Sequence, residues 1–399
     1  MPNELLIMRR ENKILSLQVQ EGKICQIHAE GTEAEPTAHL GDIYVGKVRN
    51  IVKNINAAFV EFQKGQIGYL SLSDSVIPIH TQGVVYQEGR VLIGDEIMVQ
   101  VAKEAIKTKP PTLSGALDLT GRYVVLTVGR PQISISKKIR EKAVREELSE
   151  FLAEFACDAF GFIARTNSAE VSKEVLQQEI QSLIKSYEEI MEFGIHRTPY
   201  SCLLKAPAGY LSHIRDGYIA KVERILTDDE ELYQEIEGFL KRFWPEELHK
   251  LERWKPENGK LDAVYNVSRT IDHALMPKVW LKSGAYLVIQ PTEALVSIDV
   301  NTGKAISKKK DVQQTYLKVN KEAAQEIAHQ LRLRNLSGMI LIDFIDMKSE
   351  EAKLEVIESL RQAVRQDPVK TTVVDMTKLG LVEVTRMKLR KSLFEQLKE

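Results

Sequence analysis

Two apolar runs in this chain carry carboxylates at or near their ends. Leu295-Val-Ser-Ile-Asp-Val-Asn-Thr-Gly303 holds Asp299 and Asn301, and Ile340-Leu-Ile-Asp-Phe-Ile-Asp-Met347 holds Asp343 and Asp346. A carboxylate beside a buried strand is costly unless it is paired or meets a cation. Two such strand ends in one sheet could bring Asp299 and Asp343 to a single hard cation. Magnesium suits that arrangement, because it takes a few carboxylates and fills its other positions with waters and phosphate oxygens. The chemistry indicated is metal-assisted attack on a phosphodiester. The plain structural alternative is a strand end with turn-forming Asp, Asn and Gly. It fits Asp299 alone better than it fits Asp343 and Asp346 together.

The elements that must hold these groups follow from periodicity. Strand side chains alternate, so Leu295, Ser297, Asp299 and Asn301 share a face. By the same alternation Asp346, three residues beyond Asp343, falls on the opposite face and ranks below it as a ligand. Gly303 breaks the strand and opens a basic loop, Lys304 to Lys310, with four lysines. Asp311 reads as the N-cap of a long helix whose apolar stripe is Val312, Tyr316, Val319, Ala323, Ile327 and Leu331. Ala285–Gln290 and Ala294–Val300 read as a hairpin, Met339–Phe344 as a strand and Glu350–Gln366 as a helix. Lys370–Met376 reads as the strand closing a right-handed βαβ unit, with Asp343 near a strand's C-terminal end.

Upstream, the first thirty residues alternate as short strands and give way to a polar break at Gly31–Ala38. From Gly41 to about Lys103, closely spaced strands predict a small barrel. In it, Phe59 and Tyr69 are either core or a stacking platform for single-stranded bases. Lys107–Pro111 is a stiff basic connector. Gly121–Val128 and Phe160–Arg165 read as strands; Glu141–Phe155, Glu170–Glu192 and Asp228–Phe243 read as helices. Taken alone, Arg165-Thr166 is an ordinary strand end.

At 399 residues the chain holds two to four compact units. Its 43% hydrophobic and 28% charged residues are those of a globular protein, and a net charge of −1 makes any nucleic-acid contact a local one, as at Lys304–Lys310 or Met387–Lys391. No apolar run reaches the roughly 18–20 residues of a membrane span, and no secretory leader is expected from the N-terminus. Cys25, Cys157 and Cys202 form no Cys-x-x-Cys pair, and the histidines lack zinc-motif spacing, so reduced thiols in the cytoplasm are expected. Glycine-rich nucleotide fingerprints are absent, which argues against an NTPase or a dinucleotide enzyme.

Six segments in order carry a resemblance: Gly41-Asp-Ile-Tyr-Val-Gly-Lys47, Ala57-Ala-Phe-Val-Glu61, Phe162-Ile-Ala-Arg-Thr166, Ser297-Ile-Asp-Val-Asn301, Gln330-Leu-Arg-Leu-Arg334 and Ile342-Asp-Phe-Ile-Asp-Met347. Over nearly the whole chain they resemble the catalytic half of the ribonuclease E/G family. The resemblance implies an α/β, multi-subdomain fold. Residues 1–36 and 211–275 would form a ribonuclease H-like subdomain without that enzyme's chemistry. An S1-type OB barrel would occupy 37–120, a 5′-sensor region 121–210 and a DNase I-like catalytic subdomain 276–399.

The family's roles carry over where residues match. Asp299 and Asp343 would hold Mg²⁺, with Asn301 positioning the substrate or the attacking water. Arg165 and Thr166, with Gly121 and Val125, match the pocket for a 5′-monophosphate. Phe59, Tyr69 and Lys109 match the RNA-gripping positions of the barrel; Tyr69 stands where phenylalanine is common and still stacks. The implied activity is Mg²⁺-dependent hydrolysis of single-stranded, A/U-rich RNA to 5′-phosphate products, stimulated by a 5′-monophosphate, in RNA processing and mRNA decay.

The implied state is a homo-oligomer. Degradosome-type partners would bind only through regions outside these 399 residues. The family's Cys-Pro-x-Cys zinc link does not occur here, so zinc and a zinc-linked dimer are not carried over; a shortened chain and a member without zinc both remain open. A non-catalytic RNA binder is disfavoured by phosphate-repelling acids. A metal-dependent DNA nuclease stays open, since stacking residues tolerate either nucleic acid.

Overall fold

The computed structural model describes residues 3–32, 38–73, 76, 78–81, 91–105, 109–216, 222–305 and 312–398. The chain forms two compact units, one of Met1–Glu33 with Val222–Glu399 and one of Ala34–Lys221. Among the described residues the architecture is mixed α/β, with four sheets that include a small five-stranded barrel. Most of the Lys304–Lys310 loop, the Asp311 cap, Lys107, Thr108 and the middle of the Gly31–Ala38 break lie outside the described residues.

The Ala34–Lys221 unit contains the barrel. Strands Ile43–Val52, Ala57–Gln63, Gln66–Ser71, Thr112–Ser114 and Glu96–Lys103 follow one another around it, and the first pairs with the last to close it. Alternate residues point inward, which places Val48, Val60, Phe62, Leu70, Ile97 and Val99 in one core. Thr112–Ser114 belongs to the barrel, so the barrel continues past the basic connector. A side chain at Gly46 would collide with Val60, and one at Gly68 would lie 2.5 Å from Leu113. A four-stranded sheet follows, in the order Ile133–Ile135, Phe160–Ala164, Val124–Val128, Asp118–Thr120. The apolar stripes of helices Lys142–Ala153 and Lys173–Gly194 pack on it.

The other unit has two sheets. The first runs Leu251–Arg253, Arg224–Thr227, Glu4–Arg10, Lys13–Gln20, Lys23–Gly31. The second runs Lys278–Trp280, Tyr286–Pro291, Val296–Asn301, Gly338–Asp343, Leu381–Arg386, Thr371–Met376. Helices Val312–Leu333 and Glu350–Val364 pack on one face of this second sheet, over Leu287, Ile289, Ile298, Val300, Ile340, Ile342, Val382 and Val384. Its other face is open, with Asp299, Asp343, Met339 and Trp280 exposed.

The Lys370–Met376 segment forms a strand parallel to Gly338–Asp343 in the same sheet and closes the expected βαβ unit through the Glu350–Val364 helix, but the two strands are not neighbours. Leu381–Arg386 runs antiparallel between them. The adjacent parallel pair is Val296–Asn301 with Gly338–Asp343, connected through the Val312–Leu333 helix.

The Gln330-Leu-Arg-Leu-Arg334 motif is a buried lock. Arg334 Nε donates to Gln330 Oε1 at 2.6 Å and Nη1 to the Met276 carbonyl at 2.7 Å. Arg332 Nη2 reaches Cys25 Sγ at 3.4 Å.

Candidate active site

Parallel pairing sets Asp299 directly opposite Asp343. Each is an exposed residue of an alternating strand, and each stands at or near the strand's C-terminal end. Adjacent strands are about 4.8 Å apart, so the two carboxylates face the same small volume. Asn301 is on the same face, and its Nδ2 donates to Asp299 Oδ2 at 2.5 Å.

Asp346 departs from the expectation. The strand ends at Asp343, so two-residue alternation does not extend three positions further. Asp346 stands in the following loop, near enough for its charge to act on Asp343. Partial burial, then the charges of Asp299 and Asp346, hold the Asp343 carboxyl above the usual carboxylate range.

These residues suit a hard cation. The donors are oxygens only, and their mutual repulsion is what a divalent ion would relieve. Among the described residues no group of three or more His, Cys, Asp or Glu side chains could by itself hold a metal. A pair of carboxylates is nevertheless enough for magnesium, which keeps several waters.

Sequence reasoning missed Asn320. It is fully buried on the Val312–Leu333 helix. Its Nδ2 donates to the Ile345 carbonyl at 2.8 Å, and its Oδ1 accepts the Ile345 N–H at 3.0 Å. Both bonds hold the loop between Asp343 and Asp346. A polar residue within a helical stripe carries no outward signal of this role. Asn320→Ala is expected to lower cleavage about 10- to 100-fold, as small misplacements of reacting groups do, and to raise the Mg²⁺ concentration needed for half-maximal rate. Asn320→Asp is expected to lose at least as much, because it strands a buried carboxylate against the Ile345 carbonyl. Mg²⁺ titration of the rate checks both.

In the Ala34–Lys221 unit, Arg165 and Gly121 come together. Arg165 Nη1 donates to the Gly121 carbonyl at 2.7 Å and to Asp216 Oδ1 at 3.1 Å. Arg215 Nε also reaches Asp216 Oδ1 at 3.1 Å. Burial pushes the Asp216 carboxyl up, but Arg215 and Arg165 outweigh it and hold Asp216 below its ordinary range. Two guanidiniums sharing one carboxylate leave one net positive charge. Glu179 accepts the Arg122 N–H, and the Tyr123 N–H at 2.8 Å, which fixes the turn after Gly121. A side chain at Gly121 would strike the Glu179 carboxylate. Thr166 is exposed, with Oγ1 2.9 Å from Ser136 Oγ. Val125 lies on the neighbouring strand, opposite Ile163. Asp216 and Glu179 were not legible as partners, being 51 residues and 14 residues from Arg165 on separate helices or their ends.

On the barrel, Phe59 and Tyr69 are paired in register and half-buried, their rings edge-to-face with centroids 6.2 Å apart. The Tyr69 N–H donates to the Pro111 carbonyl at 2.8 Å, and Lys109, two residues earlier, is exposed. The predicted residues therefore fall into three clusters: the acids with Asn301, Arg165 and Thr166 with Gly121 and Val125, and the barrel aromatics with the Lys109 segment.

Comparison with known proteins gives a consistent picture. Residues 118–389 match the model of the Ribonuclease E/G family. The chain is similar to Ribonuclease G of Salmonella typhimurium, 34% identical over 402 residues that cover 98% of this chain and 81% of that one. It is likewise similar to Ribonuclease G of Escherichia coli, 34% identical over 403 residues with the same 98% and 81% coverage. With Ribonuclease E of a Nostoc species it shares 32% identity over 363 residues, 89% of this chain and 52% of that one.

Proposed function

The chain belongs to the ribonuclease E/G family and is an endoribonuclease, and from that premise we propose that it hydrolyses single-stranded, A/U-rich RNA with Mg²⁺ and leaves 5′-phosphate ends. The observation that carries the proposal is the in-register pairing of Asp299 with Asp343, with Asn301 bonded to Asp299 on the same open face. Asp299 and Asp343 would hold the ion, which when bound supplies Lewis acidity and a more acidic water. Asn301 orients the Asp299 carboxylate and offers its carbonyl oxygen to the attacking water or substrate. Asp346 adds negative charge behind Asp343 and strengthens the pair's demand for a cation.

Phe59 and Tyr69 grip bases by stacking while Lys109 meets a phosphate. Arg165 and Thr166 receive a 5′-monophosphate beside Gly121 and Val125. Among the described residues both side-chain bonds of Arg165 leave from Nη1. Bidentate phosphate binding therefore requires it to use Nε and Nη2 together. In this reading the barrel is the S1-type domain, the four-stranded sheet carries the 5′ sensor, and the six-stranded sheet is the DNase I-like catalytic subdomain. The ribonuclease H-like part is the remaining sheet. The enzyme would serve rRNA processing and mRNA decay in the cytoplasm as a homo-oligomer. Among the described residues no helix is long and apolar enough to cross a membrane.

The test uses RNA and DNA oligonucleotides of one sequence, with 5′-monophosphate or 5′-hydroxyl ends. The proposal expects internal cleavage of RNA, faster with the monophosphate. Arg165→Ala is expected to bring the monophosphate-to-hydroxyl rate ratio down to about one. A ratio unaffected by Arg165→Ala would remove Arg165 from the sensor, and equal cutting of DNA would contradict RNA specificity.

A further inference from the structure

The open face of the six-stranded sheet carries more than acids. Trp280 pairs with Tyr286, and Tyr286 pairs with Asn301. In the next row Lys278 pairs with Val288, Val288 with Asp299, and Asp299 with Asp343. Residues in register share a face. Trp280 and Tyr286 therefore stand in a row that leads to Asn301, and Lys278 in the row that leads to the acid pair.

Trp280 is 60% exposed, which is unusual for the largest apolar side chain and gives it no core role. Its ring lies 5.2 Å from that of Tyr286. Lys278 Nζ sits 4.2 Å from the Trp280 ring centre and 3.7 Å from that of Tyr286. An exposed cation–π contact is weak, so the ammonium can move to an incoming phosphate.

Tyr286 is held from the active-site side. Lys304 N–H donates to the Gly284 carbonyl at 3.1 Å, which folds the turn after Asn301 back over the hairpin. A side chain at Gly303 would lie 3.3 Å from Tyr286 Cδ1 and collide with Gly284. The edge strand is held at its start by Arg334, through the Met276 and His273 carbonyls.

We propose that Trp280, Tyr286 and Lys278 form a nucleobase subsite of the active centre, which stacks one base of single-stranded RNA next to the scissile phosphate and fixes where the chain is cut. The inference rests on the ribonuclease reading of Asp299 and Asp343. Trp280 is two strands from Asn301, and Asp299 lies two residues further along, so Trp280 is about 12 Å from Asp299 at about 4.8 Å per strand and about 3.3 Å per residue. A stacked nucleotide advances about 3.4 Å, so the stacked base lies within about four nucleotides of the cut. The occupant is a nucleotide because the aromatic row is continuous with the acids and has a cation beside it. Stacking needs a base but reads its identity weakly.

Oligoribonucleotides in which a single base is removed, one position at a time on either side of the cut, test this. In the wild-type protein one position should raise KM about 10- to 100-fold, the range of a lost stack. Trp280→Ala should raise KM similarly on the intact oligonucleotide and be indifferent to that missing base, while Trp280→Phe keeps part of the sensitivity. The same set is bound to Asp343→Asn in EDTA, with and without Trp280→Ala, where no cleavage is required. A penalty that persists undiminished in Trp280→Ala, or no penalty at any position, overturns the subsite even if RNA is cut normally. If the binding pattern appears as expected and the wild-type protein cuts no RNA, the subsite stands and the ribonuclease reading of the acids fails.

Discussion

Asparagine in place of Asp299 or Asp343 is expected to slow RNA cleavage about a thousandfold or more while oligonucleotides still bind. The substitution keeps the shape and removes the charge that a hard cation requires. Losing several kcal/mol of charge stabilisation at about 1.36 kcal/mol per tenfold gives that size. Stability should move the other way. Burial, Asp299 and Asp346 raise the Asp343 pKa in the folded protein. The native state then binds more protons than the unfolded chain across the carboxylate range. The stability this contributes is present below that range and is lost as pH rises through it. In EDTA near neutral pH, Asp343→Asn should therefore melt above the wild-type protein. Mg²⁺ should raise the wild-type melting temperature more than the variant's, since only a ligand that prefers the native state stabilises it. Melting curves with and without Mg²⁺ check both statements.

The second large effect concerns the six-stranded sheet that carries Asp299 and Asp343. Arg386 and Asp367 are both buried, and Arg386 Nε and Nη2 reach the two Asp367 oxygens at 2.7 and 3.2 Å. Arg386 Nη1 continues to Asn335 Oδ1 at 2.7 Å and to the Leu336 carbonyl at 3.1 Å. The network fastens the far end of Leu381–Arg386, the strand beside Asp343, to the segment that precedes Gly338–Asp343. Arg386→Met should cost about 3–5 kcal/mol, because it leaves a buried carboxylate without its cation. At a few degrees per kcal/mol, the melting temperature should fall by about 10 °C. Asp367→Leu added to Arg386→Met should recover part of the loss, since an apolar pair leaves no stranded charge. Melting of the single and double variants separates a buried-charge penalty from simple loss of packing.

Much of the site was legible because strands advertise themselves by alternation. Asp299 interrupts a run of buried Ile298 and Val300, and Asp343 closes a run of buried Ile340 and Ile342. That the two stand in register depends on the crossover and the pairing of distant strands, which no local pattern encodes. Alternation also failed where it was extended past its element, at Asp346, because the strand stops at Asp343. The Leu381–Arg386 strand went unseen because its outward residues Glu383 and Thr385 resemble those of a polar surface segment, and so its insertion beside Gly338–Asp343 was missed. Lys278–Trp280 is only three residues long, too short to show a period. Arg165 was visible as a strand end, but its carboxylate partner Asp216 comes from a helix end far along the chain.

The most direct measurement is the chemistry of the new ends when a single-stranded RNA is cut in ¹⁸O-labelled water, with Mg²⁺ and in EDTA. Mg²⁺-dependent internal cleavage is expected, with 3′-hydroxyl ends and one ¹⁸O in each new 5′-phosphate, all lost in Asp299→Asn and Asp343→Asn. Cleavage that survives EDTA, or that yields 2′,3′-cyclic phosphate and 5′-hydroxyl ends without label, would contradict Mg²⁺-dependent hydrolysis.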